Sequence, residues 1–234
     1  MKNKHSIDII IVNWNSQELL KNCIHPIINT PNKDYTNSIF IIDNASTDQD
    51  NIQLPHSEKI KLIKNKVNIG FGAACNQAIK QSKSPFVLLL NPDTVLQDNT
   101  LEKCLDFLKK NSDTQILGIQ NIDEHNKIKK TCARFPKFLF LIYDLFGLSK
   151  LFPNLFRPAT IMLDWDHKTT KEVNHVIGAF MLIQSTVFER IGYFDESFFL
   201  YLEDLDISYR ASLNNFKTVY NAEISIFHKG GGST

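Results

Sequence analysis

The run Phe86-Val87-Leu88-Leu89-Leu90, closed by Asn91-Pro92-Asp93-Thr94, constrains this chain more than any other stretch. Five consecutive apolar residues ending in a polar turn predict a strand buried on both faces, of the kind found inside a parallel sheet covered by helices. Such a strand hands its next residues to the carboxyl edge of the sheet, where ligands of open α/β sheets sit. The group delivered here is a carboxylate, Asp93, in a turn restricted by Pro92. The alternative is a plain strand-to-helix turn with Asp93 as the helix N-cap, and the rest of the chain has to separate the two.

The same pattern recurs upstream. Ile7 to Val12 is a β-branched run ending at Asn13-Trp14-Asn15-Ser16. Gln17 to Thr30 then carries helical apolar spacing through Leu19, Leu20, Cys23, Ile24 and Ile27, with Asn15 or Ser16 as its cap. Ser38 to Ile42 predicts a second strand, ending in Asp43-Asn44-Ala45-Ser46-Thr47-Asp48, and Ile60 to Ile63 a third. Asn68-Ile69-Gly70-Phe71-Gly72 opens a helix through Ala73, Ala74, Ala78 and Ile79, and a further helix runs from about Asp98 to Lys110. Strand, helix, strand, strand, helix, strand, helix calls for a mostly parallel sheet with right-handed crossovers. Downstream the pattern changes. Strands are expected at Gln115 to Gln120, Lys127 to Arg134 and Val173 to Ile183, then a helix from about Tyr201 to Leu213, then one or two strands from Thr218 to Phe227. No repeat or low-complexity linker interrupts, which favours one continuous domain whose halves differ in job.

Composition removes some functions. At 234 residues, with 43% hydrophobic and 22% charged, there is room for one large domain. Twenty-six Lys and Arg against 25 Asp and Glu leave a net charge of +1, so no basic field gathers nucleic acid. Cys23, Cys75, Cys104 and Cys132 are widely spaced, without a CxxC pair, and read as reduced core thiols in a cytosolic protein. The amino terminus is polar and the apolar run after it is too short for a signal peptide. No window approaches the 18 apolar residues of a membrane span. The apolar segment from Phe135 to Pro158 has two readings: a helix packed on its own domain, or one docked on a membrane surface with its cations at the headgroups.

Four polar clusters fall at strand ends or helix starts: Asn13 with Asn15, Asp43 with Asp48, Asn91 with Asp93, and Glu203, Asp204 and Asp206. Gly70-Phe71-Gly72-Ala73-Ala74-Cys75 nearly matches a dinucleotide fingerprint, with Asp93 falling 21 residues after Gly72. Cys75 stands where a third glycine belongs, and the stretch follows the third strand instead of the first. A helix opened by glycine still suits a phosphate. Three carboxylates at a helix start are favoured by the helix dipole alone, which accounts for Asp206. Glu203 and Asp204 directly follow Phe198-Phe199-Leu200-Tyr201, aromatics expected to desolvate a carboxylate and raise its pKa towards general-base duty. His228 is expected either to be satisfied locally or to complete a divalent metal site with Asp93.

In order, Val12-Asn13-Trp14-Asn15, Asp43-Asn44-Ala45-Ser46-Thr47-Asp48, Asn68-Ile69-Gly70-Phe71-Gly72, Asn91-Pro92-Asp93-Thr94, Gly178-Ala179-Phe180-Met181, Phe194-Asp195-Glu196, Tyr201-Leu202-Glu203-Asp204-Leu205-Asp206 and His228 resemble the family 2 glycosyltransferases. Within that family the chain is most similar to the bacterial rhamnosyltransferase-like enzymes of surface-polysaccharide assembly, and the resemblance spans residues 7 to 233. It implies a GT-A fold, α/β with a Rossmann-like, mostly parallel central sheet, helices on both faces and a smaller mixed acceptor-side region. It also implies an inverting transferase. Residues to about 112 would bind the nucleotide-sugar and those from about 113 the acceptor.

The resemblance carries over residue by residue. Val12, Asn13, Asn15 and Asp43 would hold the base and ribose of a dTDP- or UDP-sugar, with Asn68 and Gly70 near the nucleotide. Asp93 matches the last aspartate of the family's DxD motif and would bind Mg²⁺ or Mn²⁺, joined by His228. Asp204 matches the catalytic base, with Glu203 beside it. Asn91 stands where DxD has its first aspartate, a form this branch often carries, and can reach a ribose hydroxyl while adding no charge to a metal. Relatives commonly continue past the histidine loop. The implied acceptor is a glycan or lipid-linked glycan at the cytoplasmic face of the membrane. Two other classes stay open: a nicotinamide-dependent oxidoreductase, invited by the glycines, and a non-catalytic nucleotide-sugar-binding module.

Overall fold

The structure, a computed structural model, describes residues 6–47, 53–136 and 161–229. Asp48, the segment from residue 137 to Pro158 and the glycines after Lys229 lie outside the described residues.

The apolar runs form β1 (Ile7–Asn13), β2 (Thr36–Asp43), β3 (Ile60–Lys64) and β4 (Phe86–Leu90), which pair in parallel in the order β3-β2-β1-β4. Successive strand residues point to opposite faces, and both faces are covered. Ile7, Ile9, Ile11, Ile39, Ile41, Leu88 and Leu90 pack under α1 (Gln17–Asn29) and α4 (Thr100–Lys110) through Leu20, Cys23, Ile24, Ile27, Leu101, Cys104 and Leu105. On the other face Ile10, Phe40, Ile42, Val87 and Leu89 pack under α3 (Phe71–Ile79) through Ala74, Cys75 and Ala78. Val87 to Leu90 are each no more than 1% exposed, and burying each such side chain contributes roughly 1.5–3 kcal/mol. A strand buried on both faces is the expectation that Phe86 to Leu90 raised, and it holds.

Beyond β4 the sheet becomes mixed. A short helix α2 (Asn32–Tyr35) leads into β2, and β5 (Thr94–Leu96) follows β4. Then come β6 (Thr114–Ile122), β7 (Ile128–Lys129), β8 (Cys132–Ala133), β9 (Lys171–Val173), β10 (His175–Val176), β11 (Phe180–Gln184), α5 (Ser185–Ile191), α6 (Glu203–Leu213) and β12 (Lys217–His228). The full order is β3-β2-β1-β4-β11-β6-β12-β5, with β7 on β6 and β9 on β12. β11 runs antiparallel to β4 and β6, while β12 runs parallel to β6 and antiparallel to β5.

Several expectations are corrected. The strand expected from Val173 to Ile183 is three strands, because β9 pairs with β12, β10 with β8, and β11 with β4 and β6. Lys127 to Arg134 divides for the same reason: β7 pairs with β6 and β8 with β10. Asp93 is no helix cap, since β5 intervenes and α4 starts only at Thr100. Of the two proposed caps of α1, Ser16 occupies the N-cap position, but its side chain makes no capping hydrogen bond. The Ser16 hydroxyl donates to the Trp14 carbonyl (3.0 Å), and Asn15 Oδ1 accepts from the Thr47 N–H (2.8 Å). α6 begins at Glu203 and not at Tyr201, because Tyr201 and Leu202 hold left-handed φ of 64° and 71°.

Candidate active site

β1 has β2 on one side and β4 on the other, so the chain's crossovers leave in opposite directions at this point, where a crevice opens at the carboxyl ends of the strands. A cleft of about 330 Å³ occupies it, lined by Val12, Trp14, Asn44, Asn68, Gly70, Asn91 and Pro92 from the first half and by Gly178, Phe199, Tyr201, Glu203 and Asp204 from the second. Val12, Asn68, Gly70, Asn91, Glu203 and Asp204, all singled out from sequence, are thus brought together.

Beneath this wall the turns after β1 and β2 are tied to each other. Asn13 Nδ2 donates to Asp43 Oδ1 (2.9 Å) and to Ser46 Oγ (3.1 Å), and the Ser46 hydroxyl donates to Asp43 Oδ1 (2.6 Å). Asn13 and Asp43 are both fully buried and do not line the cleft. Asn15, on the exposed side, receives the Thr47 N–H and donates its own N–H to Ser46 Oγ (2.9 Å). Asn44, which sequence reasoning passed over, is the hub of the next turn. Its Nδ2 donates to Asn68 Oδ1 (2.7 Å), and its Oδ1 accepts from Asn65 Nδ2 (3.0 Å) and the Ile69 N–H (3.2 Å). Its position beside Asp43, at the end of a buried strand, was the available signal.

The glycine fingerprint serves packing. At Gly70 (φ +85°) a Cβ would stand 2.4 Å from the Phe199 carbonyl oxygen, and at Gly72 it would stand 3.2 Å from Phe194 Cβ and 3.5 Å from Glu203 Cβ. The first N–H of α3, from Phe71, is already donated to the Phe199 carbonyl (3.1 Å). The helix start thus spends one of its N–H groups on the chain itself, and close packing accounts for the glycine spacing that invited the oxidoreductase reading.

Glu203 and Asp204 open α6 under different conditions. Glu203 is 5% exposed, and its Oε2 has no hydrogen-bond partner among the described residues. Burial, reinforced by the neighbouring Asp204 charge, pushes its carboxyl up to about 7. Contact with α3 at Gly72 contributes to that burial, while Phe199 and Tyr201, expected to provide it, are themselves 57% and 62% exposed and line the same cleft. Asp204 Oδ2 accepts the Gly178 N–H (3.1 Å) and Oδ1 accepts the Leu205 N–H (2.8 Å), while His175 Nε2 stands 3.6 Å from Oδ2. Asp206 is paired with Arg210 one turn on (2.8 Å), in keeping with its structural reading.

Asp93 and His228 meet through strand pairing. Thr94 lies opposite His228 in the β5–β12 register, and the Lys229 N–H donates to the Asp93 carbonyl (3.0 Å). His228 Nε2 is 3.2 Å from Asp93 Oδ2. Asp93 lines a separate cavity of about 390 Å³ with Leu19, His25, Val95 and Lys229, and Pro92 borders both that cavity and the cleft. Among the described residues no cluster of three or more His, Cys, Asp or Glu side chains is placed to hold a metal ion.

The family model described as glycosyl transferase family 2 matches residues 8–192. A low-salt glycan biosynthesis hexosyltransferase of Haloferax volcanii is 26% identical over 213 residues, covering 89% of this chain and 62% of its own length. An N-acetylglucosaminyl-diphospho-decaprenol L-rhamnosyltransferase of Mycobacterium tuberculosis is 22% identical, covering 84% of this chain and 68% of its own. The chain thus spans about two thirds or less of these relatives' lengths. Among solved structures, GalNAc-T7 with UDP, GalNAc and Mn²⁺ superposes with a TM-score of 0.69 at 14% identity, over 100% of this chain and 46% of that one. The S. aureus protein TarS gives 0.61 at 17% identity, over 96% and 60%. These two likenesses establish the GT-A fold.

Proposed function

The chain belongs to glycosyl transferase family 2, and from that premise we propose that it moves a sugar, rhamnose or a related hexose, from a nucleoside diphosphate to a glycan or lipid-linked glycan, inverting the anomeric carbon. The observation that carries this reading is the single cleft in which Glu203 and Asp204 face Asn91, Asn68 and Gly70. The proposed chemistry follows from that opposition. Val12, Asn68 and Asn91 hold the donor against the carboxyl ends of β1 and β4, with Gly70 lining the same cleft, Asn13 and Asp43 shaping the wall from beneath and Asn15 bracing it from the exposed side. Asp204, aimed by the Gly178 N–H, takes the proton of the attacking acceptor hydroxyl. Burial raises the Glu203 carboxyl to about 7, so near neutrality it is only partly ionised and the charge that Asp204 confronts at close range is reduced.

Asp93 and His228 are proposed to hold Mg²⁺ or Mn²⁺. A buried carboxylate and an imidazole within 3.2 Å suit such an ion, whose other ligands would be diphosphate and water oxygens, and His228 Nδ1 makes no competing hydrogen bond among the described residues. When bound, the ion neutralises charge developing on the leaving diphosphate. We further propose a single domain working at the cytoplasmic face of a membrane. Four buried free cysteines suit a reducing compartment, and a relative is named for a decaprenol-linked acceptor. No helix among the described residues is long and apolar enough to cross a membrane.

Calorimetric titration with dTDP, UDP, GDP and NAD⁺, each with and without Mn²⁺, tests the reading. Metal-dependent binding of one nucleoside diphosphate is expected. Binding of NAD⁺ alone, indifferent to metal, overturns it.

A further inference from the structure

His175 sits on β10, buried beneath α6, and no step described so far uses it. Its Nδ1 is 3.0 Å from the Ser208 hydroxyl oxygen and its Nε2 is 3.6 Å from Asp204 Oδ2. Ser208, one turn after Asp204 and 1% exposed, donates its single hydroxyl proton to the Asp204 main-chain carbonyl (2.8 Å). Having spent that proton, Ser208 can only accept from the ring, so the proton of a neutral imidazole belongs on Nδ1. Nε2 is then a bare lone pair aimed at a carboxylate oxygen, and two acceptors facing each other stay apart. The 3.6 Å separation, beyond hydrogen-bond length, agrees.

We propose that His175 shares the proton Asp204 takes from the acceptor hydroxyl, with Ser208 holding the ring in the tautomer that leaves Nε2 free to do so. This rests on the reading of Asp204 as the base. The acceptor O–H bond breaks and its electron pair forms the new bond to the anomeric carbon; the bond from that carbon to the diphosphate oxygen breaks, its electron pair leaving with the nucleoside diphosphate, and the proton passes to Asp204 Oδ2. There it lies between Oδ2 and Nε2, turning a repulsive pair into a hydrogen bond. His175 touches no reacting atom; it is a positioning residue that makes Asp204 a stronger base only as the proton arrives.

The surroundings suit a ring that starts neutral. Burial holds the His175 imidazolium below its ordinary range, with Asp204 pulling the other way. Of the titratable groups on the elements packed against β10, namely α6, β8 and β12, Asp204 is the one within ion-pair distance of the ring. Cys132 is kept uncharged by burial, which pushes its thiol up to about 12, and burial raises the Tyr220 phenol as well.

Nitrogen-15 spectra of the histidine rings in the full chain, assigned by loss of the His175 signals in His175→Phe, read this without any substrate. At neutral pH Nδ1 is expected to be protonated and Nε2 unprotonated, and on acidification the Nε2 shift alone should move to the protonated value. In Asp204→Asn the titration midpoint should fall, because the imidazolium loses its carboxylate neighbour, and in Ser208→Ala the tautomer preference should relax. A proton on Nε2 at neutral pH, or a midpoint unmoved in Asp204→Asn, overturns the proposal. Turnover that survives in Asp204→Asn would instead overturn the base reading, whichever tautomer the spectra show.

Discussion

Glu203 and Asp204 are consecutive carboxylates with opposite surroundings. Asp204 receives two main-chain N–H groups, whereas one oxygen of Glu203 is buried without a partner among the described residues. Burial of that kind carries a stability cost with a definite sign. The unfolded carboxyl releases its proton near 4.5 and the folded one only at about 7, so between those values the native state holds more protons than the unfolded chain. Stability therefore falls as pH rises through this window and is fully present below it. Glu203→Gln removes the loss, and by pH 8 it should have gained on the order of 3 kcal/mol relative to the parent, compared with their difference at pH 4. Denaturant unfolding at a series of pH values measures it; parallel pH curves for the two proteins would show that Glu203 ionises freely. The two carboxylates were legible as a helix start rich in charge. Which of them is starved of partners was not, because α3, more than a hundred residues earlier in the chain, contributes to the burial.

At the scale of elements, α3 and the segment leading into α6 behave as one unit. Asn76 receives the Phe194 N–H (3.0 Å) and donates to the Phe194 carbonyl (2.9 Å) and to Glu196 (2.9 Å), while Phe71 donates to Phe199. Gly70 allows that approach at φ +85°, a conformation that a side chain adopts at a cost, with the Phe199 carbonyl where a Cβ would go. Gly70→Ala should lower stability by roughly 1–3 kcal/mol and weaken nucleotide binding at the same time, since Gly70 and Phe199 line one cleft. Thermal unfolding followed by calorimetry reads both effects; a variant as stable as the parent would mean that the two segments are not coupled. Long buried strands and amphipathic helices were visible in the sequence because each carries its own periodicity. β5, α2 and α5 span only 3, 4 and 7 residues, too short for a period to show.

For the molecule as a whole, the pairing of β5 with β12 joins residues 130 to 134 positions apart and sets His228 against Asp93. If a divalent ion is held there together with donor phosphates, ligand and metal stabilise the fold by mass action. At a hundredfold excess over the dissociation constant this amounts to about 2.7 kcal/mol. The nucleoside diphosphate that binds in the calorimetric panel, added with Mn²⁺, should raise the melting temperature of the parent, and Asp93→Ala should lose most of that rise while keeping its unliganded melting temperature near the parent's. A variant that keeps the metal-dependent rise would remove Asp93 from the ion.

The sequence by itself determined which segments are buried and which end in polar turns, because apolar periodicity and strand-ending Asn and Asp residues are local properties. It thereby placed Asn13, Asp43, Asn91 and Asp93 at strand ends and Glu203 and Asp204 at a helix start, while Val12, Asn68 and Gly70 came from the family resemblance. Only the tertiary structure decided that Asn13 and Asp43 brace a turn beneath the wall, that Gly70 admits the Phe199 carbonyl, and that His175 lies beneath Asp204. Each of those depends on which strand pairs with which and on what approaches from a distant part of the chain, and no local pattern encodes such a partner.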